Sequence, residues 1–231
     1  MDAGRLYREA DPKFLIYTDP VPSLSWNDFE RIAPYIDILA PSMRLVSGVS
    51  SGDPRMQRMM TSGKTLWSYE CVSQVKSLSP LRYNRANAWR AKFFGLAGMG
   101  LWTHSTIEYD PWLAGKGIND EYALVYPGEL PVPSVRWEAV RDGMEDVAAI
   151  TLLEQRMEAH RRAGTKTAVV EEAGAALRRA LQDIAGMADE VFIESRDYLS
   201  AGDRRLWHTW ADVERFRHHR AEIARLTLAL D

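Results

Sequence analysis

Short apolar runs alternate with helix-length amphipathic stretches through the first hundred residues. Phe14-Leu15-Ile16-Tyr17 reads as a buried strand, closed by the turn-rich Thr18-Asp19-Pro20-Val21-Pro22. Ser25 is placed to cap a helix over Trp26 to Tyr35, with Glu30 near its first turn to complement the dipole. Ile36-Asp37-Ile38-Leu39-Ala40 is a second strand stopped by Pro41. A helical stretch from Pro54 to Ser62 then ends at Gly63, a residue suited to a helix C-terminus. Lys64 to Tyr69 makes a third strand, Asn84 to Ala97 a helix, and Gly98 to Thr103 a fourth strand.

Strand, helix, strand with short connections is the pattern of parallel βαβ units, and units of this length suit a (β/α) barrel or an open doubly wound sheet. From residue 136 onward the pattern changes. Arg136 to Arg162, Lys166 to Glu190 and Asp203 to Leu230 are long, charged, alanine- and leucine-rich helical segments, punctuated by Gly164 and by Ser200-Ala201-Gly202. They are expected to pack outside the sheet. A closed barrel of this class has eight strands and about 250 residues, whereas four strands are visible here. The fold expected is α/β: the C-terminal half of a (β/α)8 (TIM-type) barrel with about four parallel strands over residues 1–135. The last barrel helix and a helical extension follow over residues 136–231. Four parallel strands leave two unpaired edges, which call for a second copy of the chain (a homodimer) or for a missing N-terminal half.

Composition narrows the function classes. A formal net charge of -3 over 231 residues argues against nucleic acid and anionic lipid as partners. The single cysteine, Cys71, excludes an intramolecular disulfide framework and a cysteine-built zinc site. No run approaches the roughly 18 apolar residues of a membrane span. The segment Met1 to Pro12 carries no signal-peptide pattern, so the expected location is cytoplasmic by default. Gly95-Leu96-Ala97-Gly98-Met99-Gly100 looks like a dinucleotide loop, but it leads from a helix into a strand, the wrong order for that site. His160, His218 and His219 fall among arginines without evident ligand spacing. No cofactor and no metal are therefore expected.

Several short pieces, weak alone and specific in order and spacing, carry a resemblance. They are Leu66-Trp67-Ser68-Tyr69-Glu70-Cys71, Trp89-Arg90-Ala91, Gly95 to Trp102, Asp110-Pro111-Trp112, Leu124-Val125-Tyr126-Pro127-Gly128 and Ser134 to Asp146. Together they resemble the C-terminal part of the glycoside hydrolase family 123 catalytic domain. That resemblance implies a (β/α)-barrel enzyme releasing terminal β-linked N-acetylgalactosamine with retention, assisted by the substrate's own acetamido group. In the family an adjacent Asp-Glu pair acts, the aspartate orienting the acetamide and the glutamate serving as acid and then base. This differs from the scheme in which a protein carboxylate is the nucleophile. The family's pair lies on a barrel strand upstream of Phe14 to Tyr17, and no pair stands at a matching position here. Asp120-Glu121, in a loop, and Asp189-Glu190, at the end of an outer helix, read chiefly as solvated surface.

In barrels the C-terminal ends of strands face the active site. Those positions hold Tyr17 and Asp19, Ser42 and Arg44, Tyr69 and Glu70, and Trp102 and His104. Aromatic rings stack on the apolar faces of a sugar while carboxylates and imidazole bind its hydroxyls. Tyr17, Trp67, Tyr69, Trp102 and His104 are accordingly the candidate substrate-binding residues, and Glu70 and Asp19 the candidate catalytic carboxylates. Each has a plainer reading as well. Trp67 fills the barrel core, Glu70 pairs with Arg44, Asp19 forms a turn, and His104 is hydrogen-bonded locally. The charged run from Arg136 to Asp146 reads as structural, pairing within its helix and to the barrel and locking that helix under the Tyr126-Pro127-Gly128 loop. Cys71 has no neighbouring base, which leaves a nucleophilic thiol remote. The function expected is hydrolysis of a terminal β-linked N-acetylhexosamine, with this chain supplying one wall of the site and a glycan or amino sugar as ligand. The alternatives are a non-catalytic carbohydrate-binding or assembly module, or a truncated enzyme lacking its Asp-Glu pair.

Overall fold

The computed structural model describes residues 3–20, 24–43, 45–46, 52, 54–70, 79–102, 104–105, 124–194 and 208–231, with the backbone alone described at residue 3 and over 188–194. The chain forms two compact units. One comprises Met1–Val72 and Phe94–Trp102, the other Ser73–Phe93 and Thr103–Asp231.

The first unit holds a four-stranded parallel sheet in sequence order: β1 (Tyr17–Thr18), β2 (Ile38–Leu39), β3 (Thr65–Glu70) and β4 (Gly98–Leu101). The strands fall on the apolar runs of the sequence but are shorter as ladders. Proline punctuation limits them, although Ala40 and Ser42 still donate to Thr18 and Pro20, and Tyr69 to Pro41. Helices that accompany the sheet are α1 (Ala3–Ala10), α2 (Trp26–Ile32) and α3 (Pro54–Met60). The Ser25 side chain caps α2 by accepting from the Asp28 N–H, and its hydroxyl bonds the Asp28 carboxylate at 2.6 Å. Asp28, not Glu30, is thus the acid of the first turn. Glu30 instead faces Arg58 on α3 at 3.4 Å. Helix α2 gives way to a tight turn of 3-10 helix over Ala33–Tyr35, where Pro34 cannot donate to a continuing α-helix.

The register fixes which side chains share a face. Thr18, Leu39 and Leu66 stand side by side, as do Tyr17, Ile38 and Thr65. Successive residues of a strand point to opposite faces. Leu39 and Leu66 belong to a core closed by Phe29 of α2, Met59 of α3, Ile36 and Leu45, so this is the helix-covered face. Trp67 and Tyr69, alternating with it, share the other face with Tyr17.

The second unit is helical. A π-helical turn (Pro80–Arg85), started by the Ser79 cap, runs into α4 (Ala86–Phe93). It packs with α5 (Val135–Ala163), α6 (Thr167–Glu194) and α7 (Trp210–Ala229). A small antiparallel ladder, β5 (Val125–Tyr126) with β6 (Val132–Pro133), precedes α5. Within this unit the long helices pack on one another and on α4. The sequence pattern shows their amphipathy but not their partners. Helix α5 ends where Gly164 takes the left-handed conformation, φ 64°.

At the centre of the unit Asp146 is fully buried. It accepts from Arg85 Nε at 2.8 Å, from Arg85 Nη2 at 3.2 Å and from the Trp89 indole at 2.8 Å, and it pairs with Arg220 at 3.1 Å. A second buried carboxylate, Asp212, completes a capping box with Thr209 at the start of α7 and bonds Arg82 at 3.0 Å. These contacts hold its carboxyl below the usual range against the opposing effect of burial. Burial is the largest single influence, and the Thr209 N–H and Arg82 together outweigh it.

Candidate functional site

The sheet face opposite the core of Leu39 and Leu66 carries an aromatic cluster. The rings of Tyr17 and Trp67 meet edge to face, with centroids 6.1 Å apart. The register sets Trp67 beside Gly98 and Tyr69 beside Gly100. A Cβ on Gly98 would lie 2.8–2.9 Å from the Trp67 indole, inside any tolerable contact, so the ring lies flat on β4 only because that position is glycine. A Cβ on Gly100 would come within 3.2 Å of the Tyr69 ring and 3.6 Å of the Tyr17 hydroxyl. Tyr17 stands on the first strand and Gly100 on the fourth. Across a flat sheet of strands about 4.8 Å apart that gap exceeds the reach of a tyrosine. The sheet is therefore curled, with its concave side lined by these rings.

Tyr17 remains 42% exposed and Trp102, just past β4, 46% exposed, so the aromatic surface is open. Burial of the Tyr17 phenol, reinforced by the negative charge of Asp19, pushes its pKa above the usual tyrosine value. The group stays a neutral hydroxyl, able both to donate and to accept. Asp19 is exposed two residues beyond it.

Glu70 occupies a different environment. Alternation along β3 puts it on the side of Leu66 and Ser68, away from Trp67 and Tyr69. It is 4% exposed and accepts the Met43 N–H at 2.6 Å, which fixes the chain just after β2. Its backbone carbonyl receives the Trp102 N–H at 2.7 Å and so sets where β4 ends.

His104 belongs to the helical unit. It is exposed, its carbonyl accepts from Leu124 and Val125, and its ring meets Trp137 edge to face at 6.2 Å. The structure thus brings together Tyr17, Trp67 and Tyr69, leaves Asp19 and Trp102 at the open margin, and sets Glu70 on the covered face. Arg44, Cys71 and Asp120-Glu121 lie outside the described residues, as do the side chains of Asp189 and Glu190.

Gly98 and Gly100 escape a functional reading of the sequence, because Gly-x-Gly first suggests phosphate. The available signal is their place inside a strand next to one rich in aromatics, where glycine marks close approach. The run Arg136 to Asp146 does pair within α5, Glu138 with Arg141 at 2.6 Å. Arg136 also reaches the Tyr126 hydroxyl at 2.5 Å, tying the helix start to β5.

An α/β chain with a curled parallel sheet and an aromatic concave face is the context in which a comparison with known families becomes informative. The family model "Glycoside hydrolase 123, catalytic domain" matches residues 25–153, more than half of the chain, from the cap of α2 to the middle of α5. The chain belongs to this glycoside hydrolase family. No curated protein matches it in sequence.

Proposed function

We propose that the concave aromatic face binds a hexosamine ring and that the chain acts in hydrolysis of a terminal β-linked N-acetylhexosamine, N-acetylgalactosamine in the first instance. The observation that carries this reading is the open cluster of Tyr17, Trp67 and Tyr69 seated on the glycines of β4, in a chain of a glycoside hydrolase family. Such rings cover the apolar C–H face of a pyranose, and the neutral Tyr17 phenol and the Asp19 carboxylate can bond its hydroxyls. Trp102 extends the wall. In this reading Glu70 is a positioning residue that holds the turn after β2, and Asp19 is the carboxylate available at the site. The outer edges of β1 and β4 would be met by further strands of the site's other wall, from an N-terminal half or a second copy.

The test pairs binding with turnover on the full chain. Titration with N-acetylgalactosamine, followed by tryptophan fluorescence, is expected to saturate, and Trp67→Ala is expected to weaken it at least tenfold. Release of nitrophenol from a nitrophenyl β-N-acetylgalactosaminide is expected to fall on Asp19→Asn. Glu70→Gln checks the positioning role. Saturable binding without turnover supports the second reading, a carbohydrate-binding module, which is favoured by the engagement of Glu70 away from the rings. A folded chain with neither binding nor turnover overturns both.

A further inference from the structure

We propose that the helical unit carries a site for a divalent transition-metal ion, formed by His218, His219 and Glu222 on α7. One imidazole nitrogen or carboxylate oxygen from each lies within 4.8 Å of the others. As a linear string the histidines sit among arginines and suggest no ligand set. On a helix, His218 and Glu222 are four apart and His219 and Glu222 three apart, so both imidazoles flank one carboxylate.

A second observation singles the cluster out. The His219 side chain is only 10% exposed, and its Nε2 is held by Asp183 of α6 at 2.9 Å. Its Nδ1 is buried and has no hydrogen-bond partner among the described residues. With the Nε2 proton donated to Asp183, Nδ1 presents a lone pair that no described residue uses. Burying such an acceptor has a cost unless something binds it. A carboxylate on the outer nitrogen of an imidazole is also the arrangement that orients metal-binding histidines and raises their basicity.

Two neutral imidazoles and a carboxylate favour zinc, cobalt(II) or nickel(II) over calcium or magnesium, which prefer all-oxygen sets. Ligand atoms about 2.0–2.2 Å from such an ion stand closer together than 4.8 Å. Rotation of the exposed His218 ring supplies that closure. The competing cations are the long side chains of Arg179, 3.6 Å from Glu222, and Arg215, 3.8 Å from Asp183. Both are substantially exposed at distances beyond a good hydrogen bond, so an incoming ion displaces a weak, solvated pair. Because Asp183 lies on α6 and the ligands on α7, a bound ion strengthens the α6–α7 contact.

The test uses the full chain without a histidine tag. Titration with cobalt(II), read by its visible absorption, is expected to saturate at one equivalent, and zinc is expected to displace it. His218→Ala and Glu222→Gln, both at accessible positions, are each expected to weaken binding at least tenfold. His160→Ala, a histidine bonded to Thr165 and the Leu230 carbonyl, should bind as the parent does. Zinc should raise the thermal midpoint of the parent but not of the two ligand variants. No saturable binding, or equal binding by parent and ligand variants of matching circular dichroism, overturns the site.

Discussion

In the sheet-bearing unit the strands are two to six residues long, and one cluster of its buried apolar side chains joins Phe29, Ile36, Leu39, Leu45 and Met59. In the helical unit α5, α6 and α7 run for 29, 28 and 20 residues, and two carboxylates with their arginines lie buried between them. The first unit keeps aromatic side chains at its open face and buries a carboxylate, Glu70, against the backbone of Met43. The second turns charged pairs inward, Asp146 with Arg85 and Asp212 with Arg82. The difference separates tasks. The open sheet face leaves its rings only partly buried. A scaffold can bury charge because several helices converge to satisfy it.

The comparison is broken most severely at Asp146. Replacing it with alanine removes the acceptor shared by Arg85, Arg220 and the Trp89 indole, and Arg85 keeps only the longer pair with Asp142 at 3.6 Å among the described residues. Removing one partner of a buried ion pair costs about 3–5 kcal/mol. Chemical denaturation followed by circular dichroism should show a loss in that range, with Asp146→Asn retaining part of it. A loss under about 1 kcal/mol would mean that the network is far better solvated than its burial suggests.

A smaller effect is expected at Gly98. Its alanine variant puts a methyl group into the Trp67 ring, and overpacking of this kind costs about 1–3 kcal/mol. The sharper readout is hexosamine affinity, which should fall with the displaced ring while the helical unit keeps its stability. Unchanged affinity would separate Trp67 from the binding surface.

The smallest effect is the acid behaviour of Asp37. Its carboxyl is held below the usual range, first by the hydrogen bond from Arg8 and then by the Ile16 N–H at 2.7 Å. A carboxyl with a folded pKa below its unfolded value, about 3.9, stabilises the fold above that value. It loses the contribution as pH falls through the folded pKa. Asp37→Asn should therefore lower stability at neutral pH and flatten its decline below about pH 4. A parallel decline in parent and variant would refute the linkage.

How much of this was legible depends on the range of the interaction. The strands stand out as apolar runs between proline and glycine, because both signals are local. Ser25 is recognisable as a cap for the same reason, although Asp28 closes that turn and Glu30 reaches across to Arg58. The face of Glu70 was available from alternation: a residue directly after Tyr69 points the other way, and strand-end position alone conceals this. The partners of Asp146 are 61 and 57 residues away in Arg85 and Trp89. Nothing in the neighbouring sequence marks that aspartate apart from the charged residues around it. The helix read over Asn84 to Ala97 begins instead at Pro80 with a π turn and stops at Phe93, and its polar residues Asn84, Asn87 and Arg90 are buried where it packs on the long helices.

The order in which the chain visits the two units has a kinetic consequence. It leaves the sheet after β3, contributes the π turn and α4 to the helical unit, and returns to lay β4 beside β3. The β3–β4 ladder therefore closes a loop that contains a helix, whereas the contacts of α5 with α6 lie close in sequence across Gly164. Local pairings form faster than those that must first close a long loop. In a refolding experiment the helical signal should precede burial of Trp67 on Gly98. No single cut in the chain divides the protein into its two units, so limited proteolysis between β3 and α4 would leave β4 on a different fragment from its partner strand.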